Sequence, residues 1–126
     1  MVELEHANVT VSDAHKTAAW MADVFGWHIR WEGEGMGGVG LTVHCGTENS
    51  YIALYQPKKE PGAAVPRYVN RGGLNHLAVT VDDLQAVHDR VVAAGFTPGE
   101  HYDYEPGERF YFHDADGIEF EVVCYS

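Results

Sequence analysis

The chain has 126 residues and a formal net charge of −11, which at 14.0 kDa is one domain's worth of protein. With so few Lys and Arg against so many carboxylates, neither a nucleic acid nor an anionic membrane surface is an expected partner, because binding phosphates takes clustered cations. The 45% hydrophobic and 21% charged residues fit a soluble globular protein. No apolar run approaches the roughly 20 residues of a membrane span, and the acidic start MVELEHANVT lacks a secretory layout, so a cytoplasmic location is expected.

In chain order, Glu3–Val11 alternates, with His6, Asn8 and Thr10 on one face and Ala7, Val9 and Val11 on the other, the period of a half-buried strand. Ser12 or Asp13 can cap a helix over about Ala14–Phe25, and Gly26 ends it. Strands are expected at Trp27–Glu32, Val39–Cys45 and Ser50–Gln56, with Gly-rich or polar turns between them. Pro57–Gly73 is too long for a hairpin and reads as a linker. It carries Lys58, Lys59, Arg67 and Arg71, either a solvated loop or a basic patch near an anionic ligand.

Beyond the linker the scheme repeats. GLNHLAVTVDD matches LEHANVTVSD at a constant offset of 70 residues, from His6 to His76 and from Asp13 to Asp83. Leu74–Val81 is the strand, Asp82 or Asp83 the cap, and a helix runs to about Ala94 before Gly95. Strands follow near Thr97–Tyr104, Arg109–Asp114 and Ile118–Tyr125. The expected fold is α+β, a single domain over 1–126 made of two βαβββ modules, about 1–56 and 74–126. Paired, they would form a curved, mostly antiparallel sheet with helices on its outer face and a concave cleft. Trp20, Phe25, Trp27 and Phe96 are expected in the core, Cys45 and Cys124 as free thiols.

The strand parities select the candidate chemistry. If the Val residues of both opening strands face the helices, His6 and His76 face the cleft. In IEFEVVCY, Phe120, Val122 and Cys124 form the apolar face, which turns Glu121 the same way as the histidines. Two imidazoles and a carboxylate on a rigid sheet suit Fe, Mn, Ni, Co or Zn as divalent ions, with positions left for substrate. Tyr51 and Tyr55 share parity with Ala53 and would line the cleft. His15, His28, His44, His88 and His113 read as isolated surface or core histidines, and Glu119 as a solvated or outer carboxylate.

The duplicated His-bearing strands and the closing FHDADGIEFEV resemble the vicinal oxygen chelate superfamily, which includes glyoxalase I, extradiol dioxygenases, fosfomycin-resistance enzymes and bleomycin-binding proteins. The resemblance spans the whole chain and implies His6, His76 and Glu121 as metal ligands. Ala53 stands where glyoxalase I has a fourth ligand, so the implied set is three, and Ala115 stands where the family's ending usually has Pro. Similarity to extradiol enzymes implies catalytic parts for Tyr111, ten residues before Glu121, and for His101, although their spacing exceeds that signature. Similarity to the fosfomycin enzymes is weaker, since Asn8 replaces their Thr. The resemblance thus implies a metal-dependent enzyme, dioxygenase-like or lyase/isomerase-like, whose small substrate chelates the ion through vicinal oxygens. It also implies a homodimer. The alternative is a non-catalytic binder of small molecules, like the bleomycin-binding members.

Overall fold

The computed structural model describes residues 1–35 and 38–125. The chain divides into two compact units, Met1–Gly62 and Ala63–Ser126, and each repeats the same order of elements.

In the first unit, β1 (His6–Thr10) leads into α1 (Ala14–Phe25), then β2 (His28–Glu34), β3 (Gly40–Gly46) and β4 (Tyr51–Pro57). The sheet order is β1-β4-β3-β2, with β1 parallel to β4 and the other pairs antiparallel. The Asp13 carboxylate accepts from the Lys16 N–H at 3.0 Å and starts α1. Gly26, at φ 73°, ends it in the left-handed region that side chains avoid. Ala14, Thr17, Ala18, Met21 and Val24 recur at helical spacing and are buried against the sheet. Val9, Val43 and Leu54 are in register across three strands and form the sheet's side of that core. Period-2 alternation therefore leaves His6, Asn8, His44, Tyr51, Ala53 and Tyr55 on the opposite face.

The second unit holds β5 (Leu77–Thr80), α2 (Leu84–Ala93), β6 (Tyr102–Tyr104), β7 (Gly107–His113) and β8 (Glu119–Tyr125), in sheet order β5-β8-β7-β6. Asp83 caps α2 by accepting from the Ala86 N–H at 3.0 Å. The core is Leu84, Val87 and Val91 against Phe110, Phe112, Phe120 and Val122. The other face carries Glu119 and Glu121 of β8 with Arg109, Tyr111 and His113 of β7.

The α+β, twice-βαβββ reading holds, and three details differ. β5 is shorter than Leu74–Val81, which leaves His76 just before the strand. β6 shrinks from Thr97–Tyr104 to the three residues Tyr102–Tyr104 that pair with Gly107–Arg109 of β7. Trp20, Phe25, Trp27 and Phe96 are half-buried and pack on other aromatics; the fully buried positions go to Val, Met21, Leu54, Cys45 and the three strand phenylalanines. Of the segments expected from sequence, the turn at Met36 and Gly37 lies outside the described residues.

Candidate metal centre

In the second unit His76 and Glu121 come together, with His76 Nε2 3.1 Å from Glu121 Oε1. Glu121 is 7% exposed despite its charge. A buried carboxylate needs a partner, and Arg109, itself buried, donates from Nη1 to Glu121 Oε2 at 2.9 Å. The same guanidinium donates to the Gly107 carbonyl at 3.2 Å and lies 4.6 Å from the centroid of the Tyr104 ring. Each carboxylate oxygen thus has its own neighbour, Arg109 at Oε2 and His76 at Oε1.

The far side of the His76 ring is also held. Nδ1 is 3.1 Å from the Tyr68 hydroxyl, and that hydroxyl donates to Glu119 Oε2 at 2.6 Å. Tyr68 adopts φ 67°, the only positive φ outside glycine among the described residues. For a bulky residue this conformation costs about 1–3 kcal/mol, and the Tyr68 N–H donating to Asn75 Oδ1 at 2.7 Å helps to hold it. The hydrogen bond to Glu119, with burial second, raises the Tyr68 phenol above its ordinary value.

Tyr111 pairs with Glu121 across β7 and β8, and its ring stands edge-on to His76 at 5.8 Å. Burial, then the negative charge of Glu121, pushes its phenol up to about 12. At neutral pH Tyr111 is therefore a proton-bearing donor. His101 is brought elsewhere. It stacks on Phe110 at 5.2 Å, meets His88 of α2 and lies 3.5 Å from Glu108. That is the helix side of the sheet, so His101 does not join Tyr111 and Glu121.

In the first unit His6 is held through the same ring nitrogen. Its Nδ1 lies 2.9 Å from Glu5 Oε1, and its ring stacks on Tyr51 at 4.8 Å. Tyr51 donates to that same carboxylate oxygen at 3.2 Å, and Arg30 covers its ring. These bonds, that from His6 foremost, lower the Glu5 carboxyl. Burial, with the Glu5 charge second, raises the Tyr51 phenol. His44 stacks on the other side of Tyr51 at 4.4 Å, and burial, then the neighbouring His6, lowers its pKa. Ala53 pairs with Asn8 and His44, as Glu121 pairs with Ala78 and Tyr111, so His44 occupies the place that Tyr111 has in the second unit. Tyr55 turns away to donate to the Val39 carbonyl at 3.1 Å. In the linker, Arg67 is tied to the Gly117 carbonyl and, at 3.0 Å, to His113 Nε2.

Among the described residues no three His, Cys, Asp or Glu side chains gather as a metal-ligand group. The His76–Glu121 pair combines a buried carboxylate with suitable spacing: two donors at about 2.1 Å from one ion, in neighbouring positions, stand about 3 Å apart. A nitrogen lone pair and a carboxylate oxygen that close need a proton or a cation between them. The donor chemistry fits a divalent ion.

Arg109, Tyr68 and His44 were not identified from sequence. Arg109 carried a usable signal, a single cation alternating with phenylalanines in the strand that pairs with Glu121. So did His44, which lies opposite Ala53 in a predictable hairpin. Tyr68 carried none, because its position depends on a left-handed backbone in a linker.

The comparisons agree with this architecture. The family model for the glyoxalase/bleomycin resistance protein/dioxygenase superfamily matches residues 3–122. No curated protein matches the sequence. Among solved structures, a glyoxylase/bleomycin resistance protein/dioxygenase domain from Frankia sp. EAN1pec is 22% identical, with TM-score 0.84 over 100% of this chain and 93% of that one. SMU.1112c is 21% identical, with TM-score 0.82 over 98% of both chains. A mutant of the fosfomycin resistance protein FosX from Listeria monocytogenes, complexed with Mn(II) and 1S,2S-dihydroxypropylphosphonic acid, is 18% identical, with TM-score 0.74 over 100% of this chain and 92% of that one. At these identities the likeness is one of fold. The family match covers both histidine-bearing repeats and the carboxylate strand, and the chain belongs to the glyoxalase/bleomycin resistance protein/dioxygenase superfamily.

Proposed function

We propose that the chain is a divalent-metal-dependent enzyme with His6, His76 and Glu121 as protein ligands, acting on a small substrate that chelates the ion through two neighbouring oxygens. The observation that carries this is the 3.1 Å approach of His76 Nε2 to Glu121 Oε1, with the other polar atom of each side chain already engaged. His6 supports it from the first unit, since its Nδ1 is also occupied and Nε2 is the atom left for a ligand bond. The Mn(II) and the dihydroxy phosphonate bound to FosX support the same class of ion and substrate.

A divalent ion bound there would polarise the substrate oxygens as a Lewis acid. The remaining work falls to the chain. Arg109 offsets the charge of Glu121 on the side away from His76, so an anionic substrate does not face an uncompensated carboxylate. Tyr111, which holds its proton up to about 12, donates a hydrogen bond to a substrate oxygen at neutral pH and is not a base.

The test is elemental analysis of anaerobically purified wild type beside Glu121→Ala. The expected result is about one equivalent of metal in wild type and little in the variant. Iron would direct assays to O₂ uptake with catechols; nickel, cobalt or zinc would direct them to isomerase and lyase substrates. No metal in either protein after reconstitution would overturn the proposal in favour of non-catalytic small-molecule binding. Sedimentation of the same sample tests the homodimer expected from the family resemblance.

A further inference from the structure

The His76 ring is fixed from a direction that the ligand set does not account for. Its Nδ1 meets the phenol of Tyr68, a residue from the linker before β5 held in a left-handed backbone. The phenol has one proton and spends it on Glu119 Oε2 at 2.6 Å, because a carboxylate can only accept. Its oxygen is then an acceptor toward His76, so the proton between the two rings belongs to Nδ1.

We infer that Tyr68 and Glu119 form a positioning relay, carboxylate to phenol to imidazole, that keeps the Nδ1 proton on His76 and turns Nε2 toward Glu121. This rests on the metal-site reading above, and it names the residues that select which nitrogen of His76 is offered to the ion. The two histidines are then held by related means. Glu5 reaches His6 Nδ1 directly at 2.9 Å, whereas Glu119 acts on His76 through the Tyr68 hydroxyl. A carboxylate behind a ligating imidazole fixes its tautomer and strengthens it as a ligand. The relay also gives a reason for a bulky residue to keep φ 67° at a position that is 60% exposed. Relaxing the backbone would swing the phenol off both partners.

The test compares wild type, Tyr68→Phe and Glu119→Ala by nitrogen–proton NMR of His76 in the metal-free proteins and by Zn(II) affinity against a chromophoric chelator. Tyr68 is exposed and Phe keeps its ring, so both variants are expected to fold. Wild type should show a hydrogen-bonded proton on Nδ1. In Tyr68→Phe that protected signal should disappear. In Glu119→Ala the phenol has no carboxylate to donate to and should donate to Nδ1, which leaves the ring proton on Nε2 alone. Zinc affinity should fall about 10- to 100-fold in each variant, the usual effect of losing an outer partner of a ligating histidine. A wild-type Nδ1 without a proton, or equal spectra and affinities in wild type and Tyr68→Phe, would overturn the relay alone. Wild type that shows the Nδ1 proton yet takes up no metal would instead overturn the metal reading and leave the tautomer assignment standing.

Discussion

Arg109 is the residue on which the charge balance of the second unit depends. Its side chain is 11% exposed and that of Glu121 9%. Water therefore screens the pair little, and removing one partner strands the other charge. Arg109→Met should destabilise the metal-free protein by about 3–5 kcal/mol in urea unfolding, and Arg109→Met/Glu121→Gln should recover most of that loss. A loss below about 1 kcal/mol would mean that the pair behaves like a surface ion pair. Parity made Glu121 legible in the sequence, because Phe120 and Val122 had to face the helix. The same argument applied to Phe110 and Phe112 would have put Arg109 beside Glu121. The parity of Arg109 is legible, but its burial is not, because arginines are rarely buried unless paired. Tyr68 is different. No periodicity in RYVNRGG signals a positive φ at a tyrosine, and the contact it makes arises only once the linker has folded back on β5 and β8.

The repeated Asp before each helix is a local device with a measurable effect. Asp13 and Asp83 each accept from the N–H three residues on, at 3.0 Å in both units. Asp13→Ala and Asp83→Ala should each cost about 1 kcal/mol, and because the caps share no partner the double variant should cost about the sum. Losses of a few tenths, seen by thermal melting, would show that the side-chain bonds contribute little over water. The helices were the most legible elements: α1 spans Ala14–Phe25 as its caps and spacing predicted. β6 was the least, since of the expected Thr97–Tyr104 only Tyr102–Tyr104 pairs with β7. The dislocation of His101 follows from the same cause. Where β6 begins decides which side of the sheet the preceding residue reaches, and His101 reaches the Phe110 side.

The two repeats keep one topology and have diverged in what their open faces carry. The first has Ala53 with His44 beside it, where the second has Glu121 with Tyr111. Only one repeat supplies a carboxylate at that register, so a ligand set of His6, His76 and Glu121 would draw on both repeats unequally. This has a consequence for stability. An ion that binds only the folded chain stabilises it by about 2.7 kcal/mol at a free concentration 100 times its dissociation constant. The gain should appear in wild type as a raised urea midpoint on adding Zn(II) or Mn(II). It should vanish in His76→Ala, which removes one of the two donors that stand 3.1 Å apart. His6→Ala is the decisive case, because His6 lies in the other unit, where Glu5 and Tyr51 hold its ring. If the ligands come from both repeats, His6→Ala loses the metal-dependent gain as fully as His76→Ala. If it keeps the whole gain, the ion is held by the second repeat alone, and the first repeat's histidine serves the stack of His6, Tyr51 and His44 instead.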